Sequence, residues 1–556
     1  MVPRRHRGGD AVTWSGAPDR PEAPVTTRVV SHRPAVQVPD LALPDHLLRA
    51  ADDRPDAPAV IDGPSGRTLT YGELRRDVRR CAVGLRRRGM RPGDVLAIVA
   101  PNSPEWLVAC LGAMAAGGVV SGINPLYTAD EIAPQLRDHG ARFLLTIPPF
   151  LPLVQAAAAG IDDLDLLVLG EAEGATPFAD VLADGDLPGG LVDPATDLAL
   201  LPYSSGTTGL AKGVMLTHRA MVTNVEQMQA SMALTPDDRS IAAAPFFHAV
   251  GLVVVAGVTL RAGGAVVTLP RFEVDAYLGA IAEHRVTVSI VVPPIILAMA
   301  RHPAVARHDL SSLRLLGCGA APLGAELQQE CAERVGCPVG QGYGMTEAVA
   351  AIALFDPTRP VVPGSVGVLL PGVEARIVDV MSGADLGVGE TGELVVRGPQ
   401  LMAGYLNNPE ATAATIDTDG WLHTGDLARF DADGNLFVDD RLKELVKVKG
   451  LQVAPAELEA LLRTHPAVAD AAVIPVPDER AGERPKAVVV ATGAVDAEEL
   501  LAFVAARVAP HKRITEVAFV DAIPVSPSGK ILRRLLVAQD RAGALSAAPA
   551  RAVAAP

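Results

Sequence analysis

The run Tyr203-Ser204-Ser205-Gly206-Thr207-Thr208-Gly209-Leu210-Ala211-Lys212-Gly213-Val214 sets hydroxyls, glycines and one lysine in a short loop behind the apolar Leu198-Ala199-Leu200-Leu201. Glycines let backbone N–H groups close on an anion, hydroxyls add donors, and a lysine supplies a mobile positive charge. That combination suits a polyphosphate. The loop is not of the Walker A kind, because Gly213 rather than Ser or Thr follows Lys212 and the spacing from Gly206 is wrong. A Ser/Thr/Gly-rich surface turn is the plain alternative.

A second stretch, Gln341-Gly342-Tyr343-Gly344-Met345-Thr346-Glu347, combines small residues with an aromatic, a hydroxyl and a carboxylate. The glycines leave room beside Tyr343, Thr346 adds a hydroxyl donor, and Glu347 offers an oxygen ligand for a divalent cation. Upstream, Gly317-Cys318-Gly319-Ala320-Ala321-Pro322-Leu323 lacks the third glycine of a dinucleotide loop. His248 sits in the apolar Ala243–Gly251 run, where a satisfied core histidine is the competing reading. Lys530, after Ser528-Gly529, reads by itself as a turn lysine, and Asp440–Glu457 as a basic β-hairpin with a solvated charged face.

Taken together, these stretches resemble the signatures of the adenylate-forming superfamily: acyl-CoA synthetases, 4-coumarate:CoA ligases, firefly luciferase and peptide-synthetase adenylation domains. The resemblance covers roughly residues 41–540 and is closest to the 4-coumarate:CoA ligases, through Gln341–Glu347 and Lys449-Gly450-Leu451-Gln452-Val453-Ala454-Pro455-Ala456-Glu457. One departure is Ala211, where the family usually has proline. The resemblance implies ATP, CoA and Mg²⁺ as the small molecules used. It puts Ser204, Ser205, Gly206, Thr207, Thr208 and Lys212 on phosphates, and Gly319, Ala320 and Ala321 beside adenine. Gln341, Gly342, Tyr343, Gly344, Met345 and Thr346 continue the nucleotide site, with Glu347 on the metal. Asp426, in Trp421-Leu422-His423-Thr424-Gly425-Asp426, would hold both ribose hydroxyls, since a carboxylate accepts two hydrogen bonds from a vicinal diol. Arg441 joins it there, Lys443 is the hinge, and Lys447 and Gln452 reach the adenylate. Lys449, Gly450 and Arg271 lie toward CoA, although a surface arginine is equally consistent for Arg271. His248 lies against the carboxylate to be activated, and Lys530 is the catalytic lysine inserted for adenylation.

The acyl pocket departs from plant coumarate ligases. Val250 and Val254 stand where they carry tyrosine and serine, and Ala350-Ala351 where they show Pro-Val; Gly342 completes the pocket. Such a lining has no side-chain partner for a phenolic hydroxyl, and leaving one buried and unpaired costs about 1–3 kcal/mol. An unsubstituted aryl acid such as cinnamate, or a medium-chain aliphatic acid, is therefore expected over 4-coumarate. Two other classes share the motifs: a stand-alone adenylation enzyme loading a carrier protein, and a nucleotide-binding module without catalysis. Lys530, Glu347 and Asp426 together argue against the second. Nothing in the sequence asks for a luciferase-like oxygenase.

The elements that must position these residues follow from patterning. Apolar strands alternate with helices of about a dozen residues, which predicts parallel sheets in an α/β fold. Leu74, Val78, Cys81, Val83 and Leu85 mark a helix over 71–88, and strands are expected at Val95–Ala100, Arg142–Thr146 and Leu164–Leu169. Thr217 reads as a helix N-cap. The expectation is a large N-terminal domain over 41–440, made of parallel-rich sheets flanked by helices plus a small antiparallel barrel-like sheet. A smaller, mobile α+β lid over 441–540 follows, with disordered ends at 1–40 and 541–556.

At 556 residues the chain exceeds one compact core. A net charge of −15 argues against nucleic-acid or anionic-membrane binding, which needs surplus Lys and Arg. Cys81, Cys110, Cys318, Cys331 and Cys337 are odd in number and scattered, so free thiols in a reducing cytosol are expected. With no apolar segment long enough for a signal or a span, and no Ser-Lys-Leu terminus, the expected location is the cytoplasm.

Overall fold

The computed structural model describes residues 28–204, 211–442, 444–448, 451–478, 481–508, 510–525 and 530–545. Two nine-stranded sheets dominate the N-terminal part. In the first, Val95–Val99 runs parallel to Val119–Gly122 on one side and to Ala141–Thr146 on the other. All five residues of Val95–Val99 are buried, without alternation, because helices cover both faces. One covering helix, Tyr71–Arg87, starts where the sequence closes a capping box. Glu73 N–H donates to Thr70 Oγ1 at 3.2 Å, and Thr70 N–H donates to the Glu73 carboxylate at 2.9 Å. Its Leu74, Val78, Cys81 and Leu85 are buried.

The second sheet carries Arg239–Ala242, Val288–Val291, Leu315–Cys318 and Val339–Tyr343 as parallel neighbours. The last two strands release Gly319-Ala320-Ala321 and Gly344-Met345-Thr346 from the same edge, the carboxyl end, where open α/β sheets gather their ligands. Helix His218–Met232 is capped by Thr217, whose hydroxyl accepts from Ala220 N–H at 3.2 Å. It packs in the core that both sheets share, among Val222, Val225, Val254 and Ala351.

A five-stranded antiparallel sheet follows, with Glu374–Val378, Gly392–Arg397, Leu422–Phe430 and Leu436–Arg441 paired in turn. Its edge corrects one expectation. Residues 28–40 do not belong to a disordered extension: Val29–Val30 pairs with Ala375 and Glu374, and Arg33 forms an ion pair with Asp356 at 2.9 Å. A two-residue edge strand is too short to leave a period in sequence.

After Arg441 the chain enters a separate sheet, in which the hairpin Val446–Val448 and Leu451–Val453 joins Gly482–Ala491, Val468–Asp478 and Glu516–Phe519. Helices Pro455–Arg463 and Ala497–Ala505 pack on it. The helix Arg533–Arg541 runs past the predicted boundary at 540, tied by Lys486 Nζ donating to the Asp540 carboxylate at 2.7 Å. Among the described residues no helix is long and apolar enough to cross a membrane. The five cysteines are free and buried.

Candidate functional site

The wall expected to hold the nucleotide is built from ion pairs and hydrogen bonds. Asp426 and Arg441 are direct cross-strand partners, and Asp426 Oδ1 meets Arg441 Nε at 3.0 Å. Tyr343, at the end of its strand, donates its hydroxyl to Asp426 Oδ2 at 2.5 Å. Burial raises the Asp426 carboxyl above its ordinary value, opposed by Arg441, Tyr343 and Lys530. Burial and the Asp426 carboxylate push the Tyr343 phenol well above its usual range, so it remains a donor. Both Asp426 oxygens are thus engaged, each with lone-pair capacity left for a diol. Gln341 turns its side chain toward the neighbouring segment. Its amide donates to Gln328 Oε1 at 2.8 Å and to the Leu323 carbonyl at 3.2 Å, fastening the 319–323 segment to the strand. Ala320 there takes a positive φ of 71°.

On the phosphate side, Ser204 pairs with Lys212 across an antiparallel bridge. Ser205, Gly206, Thr207 and Thr208 lie outside the described residues. The Lys212 ammonium stands 4.3 Å from the centre of the Tyr405 ring. Tyr405 donates its hydroxyl to Glu347 Oε1 at 2.8 Å. Glu347 is buried in the short helix Thr346–Ala348, and its carbonyl accepts from Met402 N–H at 2.8 Å. Among the described residues no cluster of three or more His, Cys, Asp or Glu side chains could hold a metal. One carboxylate is the donor set for a Mg²⁺ that arrives on phosphates and keeps several waters, so Glu347 fits that ion.

The wall expected to face the acid is shaped by backbone. Val250–Gly257 winds as a π-helix, a wider turn found mostly at functional sites, with Val254 buried and Val250 half-buried. Just before it, Asn102 holds the 242–246 segment. Its amide donates to the Ala242 and Ala244 carbonyls, both at 3.0 Å, and accepts from Phe246 N–H at 2.7 Å. Burial and the Lys530 charge drive the His248 imidazole down to about 4, so it is neutral near pH 7. Opposite, Val349 has φ 64° and ψ −68°. Ala350 N–H donates back to the Ala348 carbonyl at 2.8 Å, closing a γ-turn of the strained, positive-φ kind. For a buried β-branched residue that conformation costs about 1–3 kcal/mol, held by its surroundings. The turn drives the Ala350 carbonyl oxygen to within 1.7 Å of where a Cβ on Gly344 would stand, so only glycine fits there. Asn224 clamps the far end. Its amide donates to the Ala351 carbonyl at 2.9 Å, and its oxygen accepts from Ala351 N–H at 3.1 Å. Sequence reasoning missed Asn102, Asn224 and Tyr405, none of which belongs to a local pattern.

Lys530 comes from the C-terminal part, just before helix Arg533–Arg541. Burial and the neighbouring Arg441 guanidinium lower its ammonium, while Asp426, Glu347 and Glu444 pull the other way. Lys530 is thus within electrostatic reach of Asp426, Arg441, Glu347 and His248. Within the C-terminal part, Arg533 bridges Glu444 and Glu459. Lys447 and Gln452 face each other as hairpin partners, and their side chains lie outside the description, as do Lys443, Lys449 and Gly450 altogether. Arg271 is exposed and paired with Glu273 on the surface.

Residues 47–406 match the family model described as AMP-binding enzyme, and 457–530 match its C-terminal domain. The chain belongs to the AMP-binding enzyme family. It is 44% identical to 4-coumarate–CoA ligase 5 of Oryza sativa subsp. japonica, over 91% of this chain and 97% of the relative. Its fold is similar to ATP-bound MatB from Rhodopseudomonas palustris, with a TM-score of 0.83 at 31% identity, covering 91% of this chain and 100% of that one. It is also similar to the anthranilate CoA ligase AuaEII in complex with anthranoyl-AMP, with a TM-score of 0.85 at 29% identity, covering 91% and 99%.

Proposed function

We propose that this protein activates an aryl carboxylic acid lacking a ring hydroxyl, cinnamate in type, or a medium-chain acid, and passes the acyl group to CoA. It is an AMP-forming acid–CoA ligase, and ATP and CoA are its substrates. The observation that supports the reading is the Asp426–Arg441–Tyr343 cluster, with Lys530 in electrostatic reach of it and of His248 and Glu347. A carboxylate oxygen attacks the α-phosphorus of ATP, the bond to the bridging oxygen breaks, and pyrophosphate leaves. Lys530 and Lys212 balance charge developing on the phosphates, a preorganised contribution on the order of 3–4 kcal/mol per well-placed donor. Glu347 would hold the Mg²⁺, which supplies further neutralisation there. His248, being neutral, orients the substrate carboxylate by hydrogen bonding and leaves the positive charge to Lys530. The CoA thiolate then attacks the acyl carbon, and AMP departs as the leaving group.

The preference against a phenol rests on Val250, Val254, Ala350 and Ala351. The polar side chain behind them, Asn224, has its amide committed to Ala351 and Gln227. The test is ATP-dependent pyrophosphate release over a panel of acids, with and without CoA. Cinnamate or medium-chain acids should outpace 4-coumarate, with thioester appearing once CoA is added. A win for 4-coumarate overturns the pocket argument and leaves the ligase. Pyrophosphate without thioester would direct the acyl group to a carrier protein instead.

A further inference from the structure

We propose that Tyr405 is a positioning residue that keeps Lys212 and Glu347 apart and aimed at the nucleotide. The proposal rests on the reading that both groups serve the triphosphate. Tyr405 lies in the short strand Gly404–Tyr405, which pairs antiparallel with Val214 and Met215, next to Lys212 in the chain. Its backbone is locked on both sides: Ala403 N–H donates to the Met215 carbonyl at 2.9 Å, and Leu406 N–H to the Gly213 carbonyl at 2.8 Å. Tyr405 N–H itself donates to Thr412 Oγ1 at 2.9 Å. The side chain is 6% exposed, so the ring has one place to be.

That place is between two opposite charges. The ring face meets the Lys212 ammonium at 4.3 Å, and the hydroxyl meets Glu347 Oε1 at 2.8 Å. Among the described residues no ion pair joins Lys212 to Glu347. A direct pair would satisfy both groups and withdraw both from the phosphates. A cation–π contact is weak enough for phosphate to displace, so the ring can park the lysine without trapping it. The hydroxyl, meanwhile, fixes the carboxylate by a hydrogen bond.

The experiment separates ring from hydroxyl. ATP binding is measured calorimetrically without acid substrate, across a Mg²⁺ titration, alongside thermal unfolding. Tyr405→Phe keeps the ring and frees Glu347. The Mg²⁺ concentration for half-maximal ATP binding should rise about tenfold, the scale of one hydrogen bond to a charged group, with KM for the acid unchanged. Tyr405→Leu also removes the ring, and ATP affinity at saturating Mg²⁺ should fall a further several-fold, about the worth of the cation–π contact. That extra loss should vanish in a Lys212→Met background, where no lysine remains to close on Glu347. A Tyr405→Phe protein with the wild-type Mg²⁺ midpoint overturns the proposal, as does an undiminished extra loss in the Lys212→Met background. Should Tyr405→Leu unfold, the Tyr405→Phe and Glu347→Gln cycle decides: their Mg²⁺ effects must fail to add. A wild-type protein that binds no ATP would instead sink the nucleotide reading itself.

Discussion

The two walls of the site are built by different means. The nucleotide wall is a set of side-chain pairs, Asp426 with Arg441 and Tyr343, and Tyr405 with Lys212 and Glu347. The acyl wall is a set of backbone irregularities, the π-helix Val250–Gly257 and the γ-turn at Val349, pinned by Asn224 and Asn102. On the proposed assignment, a fixed cosubstrate is met by residues whose types are prescribed by its charge. A variable acid would then be met by a surface whose shape comes from how the chain is bent, so its lining can stay apolar. The difference teaches where specificity for each substrate is stored, and it can be broken by experiment.

The largest effect should come from Lys530, the group proposed to serve both walls. Lys530→Ala should lower acid-dependent pyrophosphate release by about 10²- to 10³-fold, the loss seen when one preorganised donor to a developing charge is removed. Thioester formation from supplied acyl-AMP should persist near wild-type rates. Equal loss in both half-reactions would mean that Lys530 acts through the seam and not on the phosphate. On the nucleotide wall, Asp426→Asn keeps size but drops the charge facing Arg441. KM for ATP should rise roughly 10- to 100-fold, the range for hydrogen bonds involving a charged group, while the ranking of acids stays fixed. A changed ranking would erase the division between the walls.

Asn224→Ala makes the converse test. It leaves the buried Ala351 N–H and C=O without their partner, at about 1–3 kcal/mol for each group left unpaired. It also frees a strained turn whose relaxed form moves Ala350 and Ala351. Unfolding should occur at lower temperature or denaturant, and discrimination between acids should weaken, with KM for ATP unchanged. If selectivity holds while stability falls, Asn224 supports the core alone.

The division also explains what was legible in the sequence. The helix expected over 71–88 and the strand expected at Val95–Ala100 appear as Tyr71–Arg87 and Val95–Val99, because their apolar spacing is a local signal. The family signatures led to the AMP-binding enzyme fold and to residues such as Asp426 and Arg441, which the structure pairs across neighbouring strands. Tyr405 was invisible, since only the pairing of Gly404–Tyr405 with a strand far earlier in the chain brings it to Lys212. Val349 was worse than invisible: valine is a residue that propensity would keep away from positive φ, and surrounding packing overrides that preference. Asn224 lay inside a regular helix, where a polar residue reads as solvated.

The smallest effect concerns protons, and it has opposite signs at two places. His248 on the acyl wall is driven down to about 4 by burial and Lys530, from an ordinary value near 6.5. Between those values the unfolded chain takes up a proton that the folded chain refuses, so stability drains away as pH falls from about 6.5 to about 4. His139 and His218, both buried and also held near 4 chiefly by desolvation, act in the same direction. Asp440, beside Arg441 at the domain seam, is raised to about 6 by burial despite accepting from Arg441 N–H and Ala456 N–H. There the folded chain takes the proton first, so acidification from about 6 toward 3.8 returns stability that the buried charge withholds at neutral pH. Asp440→Asn removes that return while keeping an acceptor oxygen. Denaturant melts at stepped pH should find the variant gaining on wild type above pH 6 and losing that advantage by about pH 4. Parallel stability curves would mean that Asp440 is solvated in the folded protein, and that acid sensitivity belongs to the histidines alone.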